Sequence, residues 1–174
     1  MADNHMGKEN TSKNMTNDVY LVVLNDSEEF QISLRYTARL AHKNRAHVGI
    51  LAVLDDQEFQ HWKNVENMMR KELRETTEKK MWTMARKIHD LNGQIPVFYI
   101  REGQAEDAVL KALEENSNIK MMVLTGGVSS GGPGALVNYF TSKGLNKLKI
   151  PYVIVPGNIT NYEIDELFDI IVTE

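Results

Sequence analysis

Residues 19–54 read VYLVVL, then NDSEEFQISLRYTARLAHKNRA, then HVGILAVL. Two short continuous apolar runs flank a polar stretch with periodic apolar positions. Such runs mark strands buried on both faces, as in a parallel sheet covered by helices. Between them Phe30, Leu34, Ala38 and Ala41 recur at helical spacing. Asp26 or Ser27 is expected to cap that helix, with Glu28 and Glu29 in its first turn, where the helix dipole favours negative charge. Strand, helix and strand in this order cannot close as a hairpin. They form a crossover between parallel strands.

The alternation continues outward from this unit. Residues 58–91 hold no proline or glycine, and Val65, Met69, Leu73, Met81, Ala85 and Ile88 mostly keep one face apolar. The pattern predicts a long amphipathic helix, with the part before Asn64 allowing a separate turn. Asn92-Gly93 supplies a left-handed cap at its end. A third strand is expected at 96–100 and a third helix at 106–115, burying Val109, Leu110 and Leu113. The fourth strand is expected from about Lys120 to Leu124, a fourth helix at 135–148, and a fifth strand at 152–155. Five buried strands alternating with helices predict an α/β fold with a doubly wound five-stranded parallel sheet.

Composition narrows the function classes. A formal net charge of -4, with both signs interleaved, carries no nucleic-acid footprint. Lys79 and Lys80 lie in RKELRETTEKK, where interleaved glutamates read as a solvated helix face. The chain has no cysteine, which removes thiol catalysis and thiolate metal sites and suits a reducing cytoplasm. No segment has the length of a membrane span or a signal-peptide core, so neither a membrane nor a nucleic-acid partner is expected. Residues 1–17 hold little that can be buried and are expected to be disordered. Residues 18–157 are expected to form the α/β domain.

Residues 158–174 remain as a C-terminal amphipathic segment. Its Ile164, Leu167, Phe168 and Ile171 recur at helical spacing among acidic residues, and Thr160 or Asn161 would cap it. That stripe packs either on its own domain or on a second subunit. Met81 and Trp82 offer another contact surface.

In an open parallel sheet, ligands sit beyond the carboxyl ends of the strands, where the strand order reverses. Asn25-Asp26-Ser27 after strand one and TGGVSSGGPGALV (residues 125–137) after strand four are placed to flank such a crevice, with Val53 and Leu54 as an apolar wall for a base. Residues 127–131 satisfy G-x-S-x-G, the nucleophile elbow of hydrolases. The acid and histidine of that triad follow the serine, however, and all five histidines precede Ser129. A triphosphate-binding P-loop fails as well, because Pro133 and Gly134 stand where its Lys and Ser/Thr belong. No G-x-G-x-x-G can be written over these glycines. Two readings remain for the loop: a backbone anion cradle leading into a helix, or a connection that binds nothing. The histidines show no metal spacing.

Several of these segments together resemble the universal stress proteins. They are VVLNDSEE, the long second helix, IREGQAEDAVL, MMVLTGG and IPYVIVPG, spanning residues 19–157. The ending GPGALV and the VPGN after strand five look most like a bacterial branch of that family. The resemblance implies the adenine nucleotide alpha hydrolase-like fold, a homodimer, and a role in stress response without catalysis. It also implies no required cofactor, although some members bind ATP or AMP and others bind neither. The nucleotide-binding class carries G-x-x-G and, further on, G-S/T. Counting back from Pro151 puts Thr125, Val128, Asn138 and Tyr139 at those places, and none matches. The family's acidic residue after strand one falls on Asn25.

The resemblance thus implies a pocket in which Asn25, Asp26 and Ser27 meet ribose or phosphates and Val53 meets the base. Thr125 and the backbone of Gly126, Gly127, Gly131, Gly132 and Gly134 would meet the phosphates. The alternative is a ligand-free dimeric interaction module with the C-terminal segment as its contact surface. A hydrolase of small phosphate esters is a third reading.

Overall fold

The computed structural model describes residues 15–55, 66–128 and 131–169. In chain order the elements are β1 (Val19–Val23), α1 (Phe30–Asn44), β2 (His47–Leu54), α2 (Glu66–Asn92), β3 (Val97–Glu102), α3 (Ala105–Glu115), β4 (Ile119–Gly126), α4 (Ala135–Phe140), β5 (Tyr152–Pro156) and α5 (Asn161–Asp169). The strands form one sheet in the order β3-β2-β1-β4-β5, and every pairing is parallel. This is the five-stranded doubly wound α/β sheet that the apolar runs predict.

The two faces of the sheet bury separate cores. Leu21, Val23, Leu51, Met122 and Leu124 pack with Val109 and Ala112 of α3 and with Val137 and Phe140 of α4. Val22, Val48, Ile50 and Ala52 pack with Phe30, Leu34, Ala38 and Ala41 of α1 and with Met81 and Ile88 of α2. Neighbouring residues of one strand thus serve opposite cores, so the strands read as continuous apolar runs. Gly49 is required on β2, because a Cβ there would sit 2.6 Å from Val19 Cγ1.

Several boundaries differ from expectation. Neither Asp26 nor Ser27 caps α1: the helix begins without a side-chain cap. Its first N–H groups instead donate to the carbonyls of Ser27, Glu28 and Glu29 in a tight turn. Of the stretch expected to form α2, residues 58–65 lie outside the described residues. Within α2, burial begins at Thr77 and continues at Met81, Ala85 and Ile88, whereas Met69 is exposed and Leu73 half-buried. The reason is length. A helix of 27 residues spans ~40 Å and an eight-residue strand ~26 Å, so the first turns of α2 overhang the sheet. The left-handed Gly93 (φ 74°) closes α2 as expected.

Leu110 and Leu113 of α3 are half-buried rather than buried. They sit at the margin of the core that Val109 and Ala112 occupy. The helix expected over 135–148 stops at Phe140 and is followed by turns and a single 3-10 turn, Leu145–Lys147. Thr141 and Ser142 turn their hydroxyls back onto the carbonyls of Val137 and Asn138, and the Gly144 N–H donates to Tyr139 O at 2.8 Å. These bonds replace the next helical turn.

Met81 is buried, so of the Met81-Trp82 pair only Trp82 is on the surface, edge-on to Phe98 at 5.2 Å. At the C-terminus, α5 begins with a capping box. The Glu163 N–H donates to Thr160 Oγ1 at 3.2 Å, and the Thr160 N–H donates to Glu163 Oε2 at 2.8 Å. The helix lies on α1 of its own chain. Ile164 is fully buried, Phe168 meets Tyr36 at 5.5 Å, and Leu167 stays exposed. Asp165 accepts from Arg39 Nε at 2.9 Å, from Arg35 Nε at 3.1 Å and from Arg35 Nη2. Ile171 and the side chain of Asp169 lie outside what the structure describes.

Candidate functional site

Strand order reverses between β1 and β4, and a cleft opens at their carboxyl ends. Its larger hollow, of about 360 Å³, is lined by Val23, Leu24, Val53, Leu124, Leu136 and Val137, with Asn25, Asp55 and Thr125 as the polar side chains and Gly134 also on its wall. A smaller hollow of about 250 Å³ adjoins it, adding Asp26, Leu73, Thr77 and Lys80. The larger volume is within the usual range for small-molecule sites, and an apolar wall with few polar groups is their usual make-up.

The turn after β1 is held by its own side chains. Asn25 Oδ1 accepts the Ser27 N–H at 2.9 Å, an Asx turn that leaves Asn25 facing both hollows. Asp26 reaches across to α2 and pairs with Lys80 at 2.6 Å. Ser27 lines neither hollow. Thr125, near the end of β4, shares a 2.6 Å hydrogen bond with Ser33, whose side chain is fully buried on α1. That bond fixes the floor of the cleft to the helix behind it.

The glycine loop turns inward on itself. The Gly127 N–H donates to Pro133 O at 3.2 Å, and a Cβ at Gly127 would meet Gly132 O at 2.9 Å. Gly132 and Gly134 have φ of 83° and 99°, the left-handed region that glycine tolerates. Gly126 is buried beside β5, where its carbonyl accepts the Gly157 N–H at 2.8 Å. Ser129 and Ser130 lie outside the described residues. Of the ten residues proposed from sequence, the fold thus brings Asn25, Val53, Thr125 and Gly134 to the larger hollow and Asp26 to the smaller. Ser27, Gly126, Gly127, Gly131 and Gly132 do not line either.

Sequence reasoning missed Asp55, Gly103, Thr77, Lys80 and Ser33. Asp55 directly follows β2 and Gly103 follows β3, so their places after parallel strands were a usable signal. Thr77 and Lys80 share a helix face at i, i+3, but their charged neighbours gave them the look of a solvated surface. Among the described residues, no group of three or more His, Cys, Asp or Glu side chains is arranged to hold a metal, and none of the histidines lines the cleft.

An open five-stranded parallel sheet, with its cleft at the point where strand order reverses, defines the class: a doubly wound α/β domain built to present that crevice. Within that class the chain belongs to the universal stress protein family, whose sequence model (Universal stress protein family) matches residues 17–156. No curated relative matches the chain. Among solved structures, the fold is similar to that of universal stress protein UspA from Lactobacillus plantarum, with a TM-score of 0.68 and 14% identity, covering 82% of this chain and 99% of that one. A universal stress protein family member from Burkholderia pseudomallei gives 0.57 and 15%, covering 80% and 96%. A universal stress protein solved in complex with cAMP gives 0.51 and 13%, covering 82% and 98%. Among the described residues no helix is long and apolar enough to cross a membrane.

Proposed function

We propose that this universal stress protein acts in the cytoplasmic stress response as a homodimer whose cleft holds an adenine nucleotide, ATP or AMP, as a regulatory ligand. The observation that carries the reading is the larger hollow, which gathers Asn25, Val53, Thr125 and Gly134 at the switch point of the sheet. Its apolar wall suits a flat base against Val53 and Leu136, and Asn25 and Thr125 suit ribose hydroxyls. A family member of the same fold in complex with cAMP adds support from outside the chain.

Thermal melting with ATP, AMP and cAMP tests this. A ligand at a hundred times its dissociation constant stabilises by about 2.7 kcal/mol. No shift at millimolar concentration of any of the three would reject the reading.

The homodimer draws support from the β5 edge. Its residues carry no charge and Ile154 is 37% exposed, whereas the opposite edge, β3, ends in Arg101 and Glu102, each ion-paired. Charged edges resist further pairing and uncharged ones invite it. Light scattering of Ile154→Lys should then show half the wild-type mass, and an unchanged mass would remove β5 from the contact.

A second reading, a module that binds no nucleotide, is favoured by one observation. The Gly127 N–H, a donor the phosphate cradle would need, is spent on Pro133 O.

A further inference from the structure

The outer side of α3 is incompletely covered. Because α4 stops at Phe140, the chain returns to β5 through turns and a single 3-10 turn, and Leu110 and Leu113 are left half-buried. With Ile150 they floor a groove of about 350 Å³, walled by Glu114, Lys147 and Lys149. Tyr139 holds Lys147 at the rim, its hydroxyl accepting from the ammonium at 2.8 Å. The groove opens at the amino ends of β4 and β5, the opposite end of the sheet from the cleft. Asp55 and Val128, where two described stretches end, lie beyond the carboxyl ends of β2 and β4 and so are not beside it.

A surface that complements an apolar floor under two ammonium groups is itself apolar and acidic. The same chain carries one. Helix α5 turns Ile164, Asp165 and Phe168 toward α1, which leaves Tyr162, Glu166 and Leu167 on its outer face. Tyr162 is 70% exposed and Leu167 46%, and Glu166 lies beside the Tyr162 hydroxyl. Tyrosine is enriched where protein surfaces meet, and this one stands on a helix already fixed by its inner face.

We infer that α5 of one copy docks its outer face into the α3 groove of a second copy. Tyr162 and Leu167 cover Leu110, Leu113 and Ile150, and Glu166 meets Lys149. Lysine suits such a rim, because its stem lies along apolar surface while its ammonium reaches the carboxylate. Ridge and groove are different surfaces, so the contact is heterologous and joins copies head to tail. One helix face in one groove is a small contact, so the association is weak and depends on concentration. It is separate from the β5 edge and needs no nucleotide.

Sedimentation velocity of the full chain, from about 10 μM to about 1 mM, tests this. The weight-average mass of the wild type should climb across that range. Glu166→Lys and Lys149→Glu each set like charges against each other and should weaken the self-association at least about tenfold, leaving the mass flat. Both residues are exposed, so the variants keep the fold. An equimolar mixture of the two variants should regain the climb, because each then offers the other an opposite charge. A wild-type mass that does not change with concentration would overturn the inference. So would single variants that climb like the wild type, or a mixture that stays flat. Ile154→Lys should climb as well, from whatever mass it has when dilute, and a flat Ile154→Lys would assign the climb to the β5 edge instead and overturn the inference.

Discussion

Replacing Asp165 with Asn should loosen the seat of α5 on α1. In the wild type one carboxylate serves two arginines, with Nε contacts at 2.9 and 3.1 Å and a further contact from Arg35 Nη2. The side chains of Arg35, Arg39 and Asp165 are 25%, 32% and 28% exposed, so the bridge is neither dry nor fully screened. An isolated surface pair contributes 0–1 kcal/mol, and charge-assisted bidentate geometry about doubles a neutral bond. Asn keeps the shape and one acceptor but loses the charge. It also leaves two guanidinium groups one helical turn apart, which costs a few tenths of a kcal/mol more. The sum is about 1.5 kcal/mol, or about 3–6 °C in melting temperature for a chain of this size.

The pH dependence gives the test its edge. Arg35 holds the Asp165 carboxyl below the usual carboxylate range, against the opposing effect of burial, and Arg39 adds to the lowering. A depressed folded-state value means the unfolded chain binds the proton first as pH falls. The bridge therefore contributes fully above the ordinary unfolded value of about 3.9 and is lost as pH drops through the folded one. The melting gap between wild type and Asp165→Asn should be widest near neutrality and close on acidification. A gap of the same size at pH 7 and pH 3, or none at pH 7, would refute the account of how α5 is held.

Other outcomes follow from single contacts. Thr125→Val should cost about 1–3 kcal/mol by leaving the buried Ser33 hydroxyl without its partner, and adding Ser33→Ala should recover part of the loss in urea denaturation. Gly127→Ala forces a Cβ to 2.9 Å from Gly132 O, so the loop must open; a loss of about 1–3 kcal/mol and faster proteolysis within residues 127–134 are expected. Ile164→Ala should cost about 2–5 kcal/mol in the same denaturation assay, more than Asp165→Asn, because a fully buried side chain leaves a cavity.

Much of the fold was legible because parallel strands must be apolar on both faces. The runs at 19–24 and 47–54 therefore marked β1 and β2 to within a residue. A cap at Thr160, one of the two residues expected there, and the left-handed Gly93 were legible for a similar reason, since both are decided by residues close in sequence. Local pattern failed where a distant group competed for the same atoms. Asp26 looked like a helix cap, but Lys80, 54 positions later in the chain, takes its carboxylate.

The cleft divides along the same line. Asn25, Asp26, Val53 and Thr125 could be named from sequence because the carboxyl ends of parallel strands converge wherever strand order reverses. What the glycine loop does with its donors could not be named. TGGVSSGGPGALV is compatible with an open cradle and with a closed turn, and glycine's broad conformational freedom permits both. Only the tertiary structure sets Pro133 O against the Gly127 N–H and brings the face of α2 that carries Lys80 over the end of β1. The chain's own apolar periods thus determined the sheet, the order of its helices and the position of the crevice. The pairing of Asp26 with Lys80 at the edge of that crevice was decided by packing between segments 54 residues apart, and no local pattern encodes it.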